Sequence, residues 1–230
     1  MVAQSRRSTR PARVVTSAGV VEADTASQSA GVIRLDSLRR VRERNLRRIA
    51  ESNTYLSAML VQGDSVLKRW SNHMDPPLKV YFPDTGPAGY VPAMRQAVRD
   101  AFRSWERVGD IPVTFVFTRD SAGAEIQVRW IREFPIERTG QADVRWNRAG
   151  WLISGTLTLA VQNPGGNPLP PEAVHTVALH EIGHLLGLGH SDNPADVMYP
   201  TTQVHENLTP RDRASARLLY ELTPGSMRLP

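Results

Sequence analysis

The chain has no cysteine, so disulfide bonds are excluded, while the compartment stays open. No apolar run approaches the ~20 residues of a membrane-spanning helix, and no membrane span is expected. The first 50 residues contain no Phe, Trp or Tyr, yet they hold 11 arginines against four acidic residues, a net of +7. The rest of the chain nets −2, so the overall +5 belongs to an N-terminal arm and not to the whole surface. An Arg-rich arm can attract nucleic acid or anionic surfaces. Without aromatics to stack on bases, and without a nucleic-acid motif, it reads as a solvated tail and helix face. No nucleic-acid partner is expected. A length of 230 residues and 40% hydrophobic content suit one domain with extensions.

What is present is concentrated in residues 180–190, His-Glu-Ile-Gly-His-Leu-Leu-Gly-Leu-Gly-His. On a helix His180 and His184 lie one turn apart on one face. Two imidazoles so placed can bind one Zn²⁺ at roughly 2.0–2.1 Å. Glu181 sits about 100° further round, beside the metal and not on it, where a carboxylate can take a proton from water. Gly187 permits the positive φ that ends a helix, and Gly189 keeps the turn slim. His190 can then arrive as the third ligand and leave a fourth position for water. Three of the chain's six histidines fall in these eleven residues. A buried helix that carries histidines by accident does not reproduce the glycine and the third histidine at these spacings.

HExxHxxGxxH followed by a methionine turn is the metzincin signature. Here the turn is Asp196-Val197-Met198-Tyr199-Pro200. Ser191 after the third histidine, and Met-Tyr-Pro, resemble the matrixins, the matrix-metalloprotease-like family. The resemblance runs from about Leu78 to Leu222 and is specific at 180–200. It implies a zinc endopeptidase acting on protein or peptide substrates, with Glu181 as general base and Met198 as a structural support under the metal. It also implies secretion or another extracytoplasmic location, although the N-terminal residues make a poor signal peptide. Many matrixins carry a second zinc and calcium. Residues 132–170 hold no histidine, so one catalytic zinc is expected and calcium is unsupported. The usual cysteine plug is excluded. His73 and Asp75 are the nearest substitutes, but they adjoin the first strand too closely to reach a cleft.

The expected fold is α+β, a zincin-like catalytic domain. It has a twisted, mostly parallel sheet of four to five strands, two main helices and a small C-terminal subdomain with one helix. Residues 1–31 read as a disordered Arg-rich arm. Residues 32–77 read as a helical extension capped at Asp36, with Leu38, Leu46, Ile49, Leu56 and Leu60 on one stripe. The catalytic domain covers 78–222, and 223–230 is a tail. Its strands are expected at 78–82, 113–118, 124–131, 141–147 and 155–161, and its helices open at Pro92, Pro171 and Pro210. His175 and His205 read as surface or supporting residues. A monomer is expected. The competing function is a catalytically silent zinc-binding interaction module; Glu181 argues against it, because such a module needs no base beside the metal.

Overall fold

A computed structural model of the chain describes residues 20–201 and 205–228, with side chains from Leu35 on. Met1–Arg40 and Val41–Pro230 are separate compact units. Helix α1 (Val20–Ala50) spans the boundary. It therefore takes in residues 20–31, which composition placed in a disordered arm, and Asp36 lies inside the helix and not at its cap. Residues 20–35 hold no proline and one glycine, so no backbone constraint stops the helix there. Residues 1–19 of the arm lie outside the described residues.

The larger unit is built on a five-stranded sheet of order β3-β2-β4-β6-β5. Its strands are β2 (His73–Tyr81), β3 (Val113–Thr118), β4 (Ile126–Ile131), β5 (Gly140–Trp146) and β6 (Leu152–Ala160). Neighbours pair in parallel except β5, which runs antiparallel to β6 and forms an edge. The expected α+β class and mostly parallel sheet are observed.

Helices α3 (Pro92–Glu106) and α4 (Pro171–Leu185) pack on the sheet. Each opens with a proline, whose missing N–H would have had no helical partner there. Val98, Phe102 and Trp105 of α3 are fully buried, and the Trp105 indole donates to Leu179 O of α4 at 2.9 Å. Helix α5 (Pro210–Glu221) closes the C-terminal part through Leu218, Leu219 and Tyr220. No helix among the described residues is long and apolar enough to cross a membrane.

Residues 51–55 break the helix as their Ser-Asn-Thr composition suggests, and α2 (Leu56–Gln62) follows. Ile49, Tyr55, Leu56 and Leu60 join the main core. Two short strands escaped the sequence reading. β1 (Val66–Leu67) pairs antiparallel with β7 (Gly225–Ser226). Residues 223–228 are thus not a loose tail: Met227 is buried, and its N–H donates to Ser65 O at 2.8 Å. Two-residue strands carry too little pattern to stand out in a sequence.

The last turn of α4 is tied down from both ends of the chain. Trp70 donates its indole N–H to Leu185 O at 2.8 Å, and the Tyr220 hydroxyl donates to Leu186 O at 3.2 Å. Those carbonyls lack partners within a helix, and burying them unpaired would be costly.

Candidate metal centre

Val174, Ala178, Leu179, Ile182 and Leu185 seat α4 in the core. His184 lines a hollow with Ala142 and Val144 of β5, and His180 reaches Val197 O. Gly187 has φ 99°, in the left-handed region, and a Cβ there would overlap Lys68 O. Only glycine lets the chain turn so close to the extension. The turn delivers His190, and the imidazole nitrogens of His180, His184 and His190 come within 4.8 Å of one another. These three form a group that could hold a metal ion.

The tautomers follow from the hydrogen bonds. His180 Nδ1 lies 2.8 Å from Val197 O, and His184 Nδ1 lies 2.8 Å from Leu188 O. A carbonyl only accepts, so each Nδ1 carries the hydrogen and each Nε2 keeps a lone pair. The two Nε2 atoms face each other at 3.1 Å. Two lone pairs at that separation repel unless they share a cation. Two ligands at tetrahedral angles around one zinc would sit about 3.3 Å apart, given bonds of roughly 2.0–2.1 Å. Burial holds all three histidines neutral, as ligands must be. It pushes His184 down to about 3, helped by the nearby His180, and lowers His180 and His190. The donor set therefore fits a divalent transition metal.

Glu181 lies beside the cluster and outside it. Burial raises its carboxyl to about 7, partly opposed by a hydrogen bond from the Ala142 backbone and by the charge of Arg138. Its space is made by Gly140: a Cβ there would stand 2.8 Å from Glu181 Cγ and overlap Val177. Met198 is fully buried, with its sulfur against Gly183, the residue before His184 on α4. His175 and His205 are not in the cluster. Both are half-buried and line a separate hollow with Asp100, Glu172 and Glu206. His73 sits in β2, edge-on to Trp70 with centroids 6.1 Å apart.

Several residues that shape the centre were missed from sequence. Asp212, in the first turn of α5, is fully buried and accepts the backbone N–H groups of Val197 at 3.0 Å and Met198 at 3.4 Å. Val197 O is the acceptor for His180, so α5 holds the methionine turn and the turn orients His180. Asp212 also completes a capping box with Thr209. That box was legible in Thr209-Pro-Arg-Asp212, but its reach to the methionine turn was not. Arg211 donates to Asp196 and Asp192, both at 2.7 Å, and Asp196 accepts the Ser191 hydroxyl. These bonds lock the loop that leads out of His190.

Comparison with known proteins agrees with this geometry. The matrixin family matches residues 170–221. Metalloendoproteinase 2-MMP of Arabidopsis thaliana is 38% identical over 78 residues, 33% of this chain and 19% of that protein. Metalloendoproteinase 4-MMP of the same plant is 31% identical over 147 residues, 57% of this chain and 41% of that protein. Human matrix metalloproteinase-15 is 29% identical over 150 residues, 59% of this chain and 22% of that protein. The chain thus spans less than half the length of these relatives. The α+β fold, the convergent histidines and these matches support a matrixin-like metzincin.

Proposed function

We propose that the chain is a zinc-dependent endopeptidase, with zinc held by His180, His184 and His190 and Glu181 as the general base. The observation that carries this reading is the pair of Nε2 lone pairs facing each other at 3.1 Å, with a carboxylate beside them that binds neither. Zinc bound there would act as a Lewis acid, polarising a carbonyl and lowering the pKa of water toward ~7. The residues supply the rest. Glu181 takes the proton of the attacking water and hands it to the leaving amine. The exposed edge of β5 offers backbone groups to an extended peptide, which adds as a further strand. A hollow of about 530 Å³, lined by Gly140, Val177, Glu181, Pro200 and Thr201, takes the side chain that follows the cut. Digestion of casein with and without a chelator tests the activity. Chelator-insensitive cleavage, or none by zinc-loaded protein, would overturn it.

Two smaller results are expected. Elemental analysis should find one zinc per chain, unchanged by His175→Ala, since His175 lies outside the cluster. A drop in stoichiometry would place His175 among the ligands. Gly140→Ala should keep the zinc and lower kcat/KM by about tenfold or more, because the new methyl group displaces Glu181. Overpacking against Val177 should also cost about 1–3 kcal/mol of stability, read from a denaturant melt. An unchanged rate would mean that Glu181 has freedom to relocate without consequence.

A further inference from the structure

Two hollows follow one another along β5. Gly140 lines the one beside Glu181, and Ala142 and Val144 line the other together with His184 and His190. The far wall of this second hollow comes from the extension ahead of the first sheet strand, through Met59, Gln62, Ser65, Val66 and Lys68. Its volume is about 500 Å³, within the usual range of ligand clefts.

The wall is fixed in place. Met59 packs so tightly on the turn into His190 that a Cβ at Gly189 would overlap it. Ser65 adopts φ 59°, a conformation uncommon outside glycine. It is held there by its hydroxyl donating to Leu60 O at 3.1 Å and by its own carbonyl accepting Met227 N–H. β1 is pinned by its pairing with β7. The wall is also electrically neutral. Lys68 pairs with Asp64 at 2.7 Å, and its ammonium lies 3.9 Å from the centre of the Trp146 ring at the end of β5. Met59, Val66, Val144 and Leu188 supply the apolar part of the lining, which Asp64 and Lys68 share.

We propose that residues 59–68 form the substrate-selecting wall of the cleft on the side preceding the cut, and that this wall selects an apolar side chain. The inference rests on the endopeptidase reading above and extends it to the choice of substrate. With the side chain after the cut beside Glu181, the residues before the cut lie along Ala142 and Val144. The peptide then runs from Trp146 toward Gly140, antiparallel to β5, the sense in which β5 already pairs with β6. A charged side chain in the second hollow would lose water without gaining a free counter-charge, because Asp64 and Lys68 already satisfy each other.

The test uses the full zinc-loaded chain and peptides that differ only at the two or three positions before the cut, carrying Leu, Glu or Lys there. Wild type should favour the Leu peptide in kcat/KM by about tenfold or more. Val66→Lys should shrink that preference and raise relative turnover of the Glu peptide. Gln62→Arg, on an exposed position at the end of α2, should act in the same direction with an unchanged melting temperature. Binding of the same peptides to Glu181→Ala, followed by calorimetry, reads the subsite without turnover. Cleavage by wild type with a preference that neither variant moves overturns the wall and leaves the endopeptidase reading standing. No cleavage, but Leu-selective binding that Val66→Lys weakens, overturns the catalytic reading and keeps the wall. Neither cleavage nor selective binding overturns both.

Discussion

Glu181→Ala is expected to retain its zinc and to lose a factor of about 10² to 10⁴ in peptide cleavage. That loss corresponds to about 2.7–5.5 kcal/mol of transition-state stabilisation. The expectation follows from position. Glu181 is next to His180 in sequence, but its carboxylate is not in the group of three convergent nitrogens. Removing it therefore takes away a base and not a ligand. Its surroundings suit proton transfer, since burial lifts the carboxyl to about 7, where it can accept a proton and release it again near neutral pH. A bound dication would pull that value down, so the base would be ionised in the loaded protein. The measurements are zinc content and kcat/KM on one peptide. A mutant that still cleaves at near wild-type rate would move the base elsewhere or expose a contaminant. A mutant that loses both zinc and activity would show that Glu181 supports the ligands themselves. Wild-type protein that binds zinc but cleaves nothing would favour the silent zinc-binding module.

The chemistry was more legible in the sequence than its support. His180, Glu181, His184, Gly187 and His190 stand close together in the chain, so helix spacing and the turn that Gly187 permits predict the convergence of the three histidines. The main helices and strands were also readable, because each buries one face against the sheet and carries the matching period. What was not readable depends on distant pairs. Asp212 reaches the methionine turn across 15 residues, Trp70 caps α4 across 115, and Gly140 clears space for a carboxylate on another element. A lone aspartate, tryptophan or glycine carries no period that announces such a partner. The helix start failed for a different reason. The Ser, Ala and Thr composition of residues 20–31 suggested disorder, but those residues contain no proline to enforce it.

The extension is where sequence and structure meet over control of the site. In sequence, residues 1–77 stand where an inhibitory segment would be found in the matrixins. In the structure, the part from Val41 onward belongs to the larger unit, which holds the histidine cluster. Tyr55, Leu56, Leu67 and Trp70 are each at most 1% exposed. Burial of each such side chain stabilises by about 1.5–3 kcal/mol, so the four together contribute about 6–12 kcal/mol as an upper estimate. Whole domains of this size are stable by only about 5–15 kcal/mol. Removing the Trp70 indole also strips the Leu185 carbonyl at the end of α4 of its donor. A chain starting at Asp75 is therefore expected to lose its cooperative melt, its zinc and its activity together. A chain starting at Val41 keeps every residue named here and is expected to fold and cleave like the full chain. The decisive readings are near-ultraviolet circular dichroism, zinc content and kcat/KM for the two truncations. If the Asp75 chain stays folded and gains tenfold or more in activity, residues up to 74 are a removable inhibitor and the cleft wall assigned to 59–68 is wrong as well. If it unfolds while the Val41 chain works, the extension is part of the enzyme's own architecture.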